Sequence, residues 1–268
     1  RPETLARAVE EDAAAGLFPL FACANGGATS TGAVDPLEEL AAAAAERSVW
    51  LHVDAAYGGF AVLTERGRAL LRGLERADSI TLDPHKWLYQ PYEAGCLLVR
   101  DGGRLEEAFR VLPDYLQDAA PAAGAVNFAD RGIQLTRMAR ALKIWISLQC
   151  FGVEAFRAAI DRTLDLARHA QARIEASPAL ELLAPASLGV VCFRRRVPGG
   201  TEAEHERANA ALVRGLAESG LGMISSTRVD GRYALRLCIL NHRTRAEDVD
   251  RVLAWLEHAE PGAEGAGG

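Results

Sequence analysis

The chain alternates between short apolar runs and amphipathic segments, and this alternation limits its fold more than any other feature. The apolar runs predict β-strands, and the segments between them have the caps and periodicity of α-helices. This order predicts an α/β fold with a largely parallel sheet. The first run is uniformly apolar and is expected to be buried on both faces. The expected strands are 17–24, 49–54, 79–83 and 94–99, and the expected helices are 2–15, one capped by Asp35, and 65–75.

The second half of the chain has a different pattern, which is typical of a smaller α+β domain. We therefore expect part of a large domain in residues 1–150, a small domain in 151–260 and a flexible tail in 261–268. An irregular stretch at 111–130 is expected to be a mobile loop. The other expected elements are a helix at 132–177 broken near Gly152, strands at 180–184, 188–195, 221–227 and 232–239, and helices at 201–219 and 244–258.

Composition and charge argue against several classes of protein. Apolar residues make up 49% of the chain, enough to bury a sizeable core. The net charge is −6 without a basic block, which argues against a nucleic-acid partner. No apolar run is long enough to span a bilayer. The five cysteines are far apart and form no CxxC pair, a pattern that predicts reduced thiols in a cytoplasmic protein.

Polar residues follow three of the predicted strands at their carboxyl ends. Thr29 lies in a glycine-rich turn after the first strand, Asp54 ends the second, and residues 83–86 follow the third. Ligands of open α/β sheets bind at this edge. The sequence therefore predicts one crevice lined by these three clusters.

Lys86 is the residue with the most distinctive chemistry in this crevice. A partly buried lysine loses its charge readily, and the neutral amine can react with an aldehyde. Asp54, at the end of the neighbouring strand, can pair with the protonated ring nitrogen of a cofactor, and the small side chain of Ala56 leaves room for a flat ring. The alternatives are a surface lysine and a structural or capping aspartate.

A metal site is a rival interpretation of the same residues. His52 and Asp54 alternate along a strand and face one side, and Asp83 and His85 follow the next strand. Histidine and aspartate are common metal ligands. A metal site would, however, leave Lys86 without a role.

Three runs of sequence resemble the group II pyridoxal 5'-phosphate (PLP)-dependent amino-acid decarboxylases. They are ATSTGAVDP at 28–36, HVDAAYGG at 52–59 and ADSITLDPHKW at 77–87. The resemblance implies PLP-dependent transferase fold type I, the aspartate-aminotransferase type, and a homodimer. It further implies decarboxylation of an L-amino acid, with aromatic substrates as the first choice.

The resemblance also implies roles for individual residues. Lys86 holds the PLP aldehyde and Asp54 pairs with the ring nitrogen. Ala56 packs on the ring, Thr29 lies beside it, and His85 contacts the phosphate or the substrate. The remaining residues are Asp83 near the phosphate, Tyr115 as the proton donor to the substrate α-carbon, and Arg236 as a partner of the substrate carboxylate. A packing role for Tyr115 and a solvated one for Arg236 stay open.

Two other functions remain open on the sequence. One is another PLP reaction, either oxidative decarboxylation to an aldehyde or transamination, and the other is a non-catalytic remnant. The chain begins at Arg1, and only about four strands are predicted before the small domain. We therefore expect the chain to lack an upstream part that carries the phosphate turn and a ring-stacking histidine, and to show little activity by itself.

Overall fold

The computed structural model of the chain describes residues 1–111 and 126–259. In this part of the chain the strands form two four-stranded sheets. In the first sheet β1, β2 and β3 are parallel, and β4 is antiparallel to β3. Its strands, in spatial order, are β1 (Phe21–Asn25), β2 (Trp50–Asp54), β3 (Ser79–Leu82) and β4 (Cys96–Val99).

Helices connect the parallel strands of the first sheet. The helix between β1 and β2 buries Leu37, Leu40, Ala41 and Ala44, whose spacing of three and four residues forms one apolar face. The helices are α1 (Pro2–Ala14), α2 (Leu37–Glu46), α3 (Glu65–Leu70) and α4 (Gly103–Phe109), with 3-10 turns at Gly59–Leu63, Leu74–Arg76 and Phe128–Arg131.

The second sheet is antiparallel and has the order β5-β6-β8-β7. The long helix that precedes it has non-helical backbone angles at Gly152, where φ is 73°. The elements are α5 (Arg140–Ala176), β5 (Leu180–Ser187), β6 (Val190–Arg195), α6 (Glu202–Glu218), β7 (Ser225–Val229), β8 (Arg232–Cys238) and α7 (Ala246–His258).

Strand β6 is buried on both faces and joins two apolar cores. Val190 and Cys192 pack into the core of the first sheet, whereas Val191 and Phe193 pack against α6 and α7. This alternation follows from the period of two along a strand. One face of the second sheet therefore packs against the core of the first sheet. The domain boundary near residue 150 stays a prediction, since α5 contributes to both cores.

The first apolar run differs from its prediction. Only Phe21–Asn25 forms a strand, and the side chains of Leu17, Phe18, Leu20 and Phe21 are exposed. The prediction of burial on both faces was wrong for this chain, because β1 is an edge strand and no described segment covers these side chains.

Two predicted helices and one predicted strand also need correction. The predicted helix 65–75 ends at Leu70, because Gly73 has a φ of 92° and starts a separate 3-10 turn. The helix predicted from residue 132 begins at Arg140. The strand predicted at 221–227 is instead Ser225–Val229. The tail 261–268 and most of the predicted loop lie outside the described residues.

Candidate active site

The carboxyl ends of the three parallel strands place Asn25, Asp54 and Thr81 in one row. Asn25 is the register partner of Asp54, and Asp54 is the partner of Thr81. Beyond the row, the amide of Gly26 donates to the Asp54 carbonyl at 2.7 Å, and the amide of Ala55 donates to the Thr81 carbonyl at 3.1 Å. The sheet thus fixes the backbone on which the predicted crevice is built.

Asp54 presents its carboxylate at this edge. One oxygen, Oδ1, accepts a hydrogen bond from the amide of Ala56 at 3.1 Å, and the side chain is exposed. The Ala56 carbonyl in turn accepts from the amide of Asp83 at 3.1 Å. Asp54 and Ala56, the predicted partners of the cofactor ring, therefore lie next to the turn that carries Lys86.

Lys86 lies in a tight turn in which its amide donates to the Asp83 carbonyl at 2.9 Å. Its Nζ is 2.7 Å from Asp83 Oδ2, and 37% of its side chain is exposed. His85 Nε2 is 3.8 Å from the same carboxylate oxygen, while Nδ1 lies 2.7 Å from the Ala94 carbonyl oxygen. Lys86, Asp83 and His85 form one polar cluster, and the partly exposed Lys86 side chain is open to a ligand.

Buried aromatic rings anchor the Lys86 turn. Trp87 is fully buried, stacks on Tyr57 with 5.1 Å between ring centroids, and donates from Nε1 to Thr163 Oγ1 at 3.0 Å. The Tyr57 hydroxyl accepts from the amide of Gly189 at 2.9 Å, and burial raises the pKa of Tyr57. Sequence reasoning gave these residues no role, although Tyr57 and Trp87 stand inside the motifs that carry Asp54 and Lys86.

The second sheet holds the glycine-rich turn after β1. Arg236 donates from Nε to the Thr29 carbonyl at 2.7 Å and from Nη1 to Ser225 Oγ at 3.1 Å. Ser187 Oγ donates to the Gly32 carbonyl at 2.8 Å. Thr29 and Arg236, which are 207 positions apart in sequence, are therefore in direct contact.

Asp35 does not cap the following helix, as its position in the sequence predicted. Its side chain makes no cap for α2, whose N-cap residue is Pro36. Instead, Asp35 Oδ2 accepts from the backbone amide of Asn25 at 2.7 Å and from Asn25 Nδ2 at 3.1 Å. The capping prediction was wrong, and the carboxylate closes the base of the glycine-rich turn. An asparagine at a strand end facing an aspartate across a turn is the signal that sequence reasoning missed.

The metal interpretation receives no support from the described part of the chain. His52 bonds to hydroxyl groups through both ring nitrogens, Nδ1 to Ser79 and Nε2 to Thr81. Among the described residues no three His, Cys, Asp or Glu side chains gather as a metal site would require. In the same part of the chain, no helix combines the length and the apolar character that a bilayer span needs.

The two remaining residues to place are Tyr115 and Lys143. Tyr115 lies outside the described residues, so its predicted contact with the α-carbon stays a prediction. Lys143, the other of the two lysines in the chain, donates from Nζ to the backbone carbonyls of Pro91 and Glu93 at 2.8 Å and 2.6 Å. From α5, Lys143 therefore binds the backbone of the segment that follows the Lys86 turn.

The donor set of the crevice suits an aromatic aldehyde with a basic ring nitrogen. Lys86 supplies an accessible amine, and Asp54 supplies an exposed carboxylate at the end of a strand. A carboxylate stabilises a protonated ring nitrogen, and an amine beside a carboxylate can hold an aldehyde.

Comparison with known proteins gives consistent relatives. An aromatic-L-amino-acid decarboxylase from Bacillus atrophaeus is 42% identical over 253 residues, which are 93% of this chain and 52% of that protein. A phenylacetaldehyde synthase from Petunia hybrida is 35% identical over 262 residues, 95% of this chain and 51% of that protein. The chain spans about half the length of these curated relatives.

A solved structure and a family model agree with these relatives. The crystal structure of Oryza sativa TDC with PLP and tryptamine matches with a TM-score of 0.89 and 32% identity, over 96% of this chain and 54% of that chain. This match confirms the predicted fold class. The family model of the pyridoxal-dependent decarboxylase conserved domain matches residues 1–196, which include Asp54 and Lys86. The chain belongs to the pyridoxal-dependent decarboxylase family.

Proposed function

We propose that the enzyme formed by this chain uses PLP to decarboxylate an aromatic L-amino acid to its amine and CO2. The observation that carries the proposal is the position of Lys86, whose amine lies 2.7 Å from Asp83 at the strand ends while the other lysine is bound to backbone carbonyls. The name of the relative from Bacillus atrophaeus, an aromatic-L-amino-acid decarboxylase, supports an aromatic substrate.

The residues of the crevice divide the work of binding. When bound, PLP supplies an aldehyde that captures amines and a ring that accepts the electrons released with CO2. Lys86 holds the aldehyde end, and Asp54 keeps a proton on the ring nitrogen. Ala56 leaves space for the flat ring. His85 contacts the phosphate or the substrate.

Three further residues complete the proposed site. Thr29 lies beside the ring, and Asp83 holds the Lys86 amine at the crevice. Arg236 uses two of its N–H groups on Thr29 and Ser225, and its other N–H groups are available for the substrate carboxylate. Tyr115 returns a proton to the α-carbon.

Borohydride reduction of the PLP-loaded protein tests the assignment of Lys86. The expected result is one labelled peptide that contains Lys86, and Lys86→Arg should abolish the label. Lys143→Arg is the matched control, because it removes the other lysine and keeps a cation for the carbonyls of Pro91 and Glu93. Label on Lys143, or on no peptide, would contradict the proposal. Formation of the amine from a candidate amino acid then identifies the substrate.

We also propose that the enzyme is a cytoplasmic homodimer. All five cysteines are free thiols, which supports a reducing compartment.

A continuous stretch from the end of the predicted loop into α5 exposes large apolar side chains, which is typical of an interface. They include Phe128, Ile133, Leu135, Met138, Trp145 and Phe151. Sedimentation equilibrium should give twice the chain mass, and Trp145→Glu should shift it to a monomer. A wild-type monomer that binds PLP stoichiometrically would contradict the dimer.

A further inference from the structure

Residues 91–94 follow the Lys86 turn and contact the ring of His85. His85 Nδ1 lies 2.7 Å from the Ala94 carbonyl oxygen, and the Ala94 amide nitrogen lies 3.2 Å from the same ring nitrogen. The Tyr92 ring meets the His85 ring edge-on, with 5.1 Å between the centroids. The position of the imidazole therefore depends on where this short segment lies.

Two cations near the start of α5 hold the same segment. Lys143 Nζ donates to the carbonyls of Pro91 and Glu93 at 2.8 Å and 2.6 Å. Arg140 Nε donates to Glu93 Oε1 at 2.7 Å, and its Nη2 lies 2.6 Å from that oxygen. The hydrogen bond from Arg140 lowers the pKa of Glu93, so the carboxylate is charged at neutral pH and the ion pair stays formed.

The contacts of Lys143 restrain the backbone more than an ordinary surface ion pair would. A surface ion pair by itself stabilises little, and the Glu93 side chain is partly exposed. Lys143, however, binds two backbone carbonyls, one on each side of Tyr92, and the second directly precedes the buried Ala94. Hydrogen bonds from a charged donor are also stronger than neutral ones. Loss of the ammonium group would therefore loosen the backbone that contacts the imidazole.

We propose that Lys143 is a positioning residue for His85. Lys143 braces residues 91–94, with Arg140 holding the carboxylate of the same segment. The braced segment keeps the imidazole in place, with Nε2 3.8 Å from Asp83 Oδ2. Lys143 acts through this segment and contacts neither cofactor nor substrate. The value of the brace to catalysis rests on the proposed function, in which His85 contacts the phosphate or the substrate.

Hydrogen exchange and histidine NMR of the PLP-free protein test the brace independently of activity. In the unsubstituted protein the Ala94 amide should exchange slowly, because it is buried and bonded to His85. Lys143→Met should speed this exchange on the order of tenfold and shift the ring signal of His85, which is identified by its loss in His85→Gln. Lys143→Arg keeps a cation and should retain both original values.

Two outcomes of these measurements would overturn the brace. One is fast exchange of the Ala94 amide in the unsubstituted protein, a result that does not depend on whether any variant folds. The other is an unchanged His85 ring signal in Lys143→Met.

Arg157→Met is the matched control for Lys143→Met. Arg157 is another cation of α5, and its Nε donates to the backbone carbonyl of Leu63 at 2.7 Å, so its replacement removes a comparable contact from the same helix. This variant should change neither the exchange of Ala94 nor the His85 signal. Equal changes in the two methionine variants would show a general loosening of α5 and would also contradict the brace.

A double-mutant cycle in the PLP-loaded enzyme tests whether Lys143 acts through His85. His85→Gln should weaken PLP binding or lower kcat/KM, and Lys143→Met should impair the same quantity on the order of tenfold. In the His85→Gln background, Lys143→Met should change that quantity by less than about twofold, because residues that act through one another are not additive. A full effect in that background would overturn the brace. Unchanged PLP binding and turnover in His85→Gln itself would instead contradict the proposed function of His85, and the NMR result would still decide the brace.

Discussion

Removal of the Tyr57 hydroxyl tests whether the two sheets are joined through the active-site motif. In Tyr57→Phe the ring remains stacked on Trp87, and the only loss is the acceptor 2.9 Å from the amide of Gly189. Both groups are buried, so the amide keeps no partner. An unsatisfied buried donor costs about 1–3 kcal/mol. The easier burial of phenylalanine offsets part of this cost.

The expected net loss in the free energy of unfolding is about 1–2 kcal/mol, which corresponds to a fall in Tm of roughly 2–6 °C for a chain of this size. Urea unfolding gives the free energy, and hydrogen exchange should show faster exchange of the Gly189 amide. Tyr92→Phe is the matched control, because the Tyr92 side chain is 85% exposed. Equal stability of the two variants, with unchanged exchange at Gly189, would refute the reasoning.

Three other substitutions or conditions have definite expected outcomes. Gly199→Ala should lower the free energy of unfolding only by the penalty for a left-handed alanine, about 1–2 kcal/mol. Gly73→Ala should lower it further, because the added Cβ would lie 2.4 Å from the backbone nitrogen of Glu38. Urea unfolding measures both changes. Burial raises the pKa of Tyr89 to about 12, so its contribution to stability should be complete below about pH 10 and be lost as pH rises toward 12. Urea titrations at several pH values should show this loss, and Tyr89→Phe should reduce it. Tyr115→Phe should lower kcat by about 10²- to 10⁴-fold with little change in KM, measured by amine release; unchanged turnover would assign Tyr115 a packing role.

The sequence predicts the fold class and the central residues of the site because both depend on local patterns. Apolar runs and helix caps repeat within a few residues, so strands β2 and β3 lie close to their predicted positions. Asp54 and Lys86 follow strand ends, and parallel strands bring their carboxyl ends to one edge. Lys86 and its partner Asp83 are only three positions apart in the sequence.

Only the tertiary structure decided the contacts that join distant parts of the chain. Arg236 reaches Thr29 across 207 positions, and Tyr57 reaches Gly189 across 132. No periodicity within one element predicts such pairs, because they depend on how β8 and β6 pack against the first sheet. The side chain of Phe21 is exposed because no described segment packs against it on the edge strand β1. An apolar run predicts that a strand can be buried, and only the neighbours present in the fold determine whether it is.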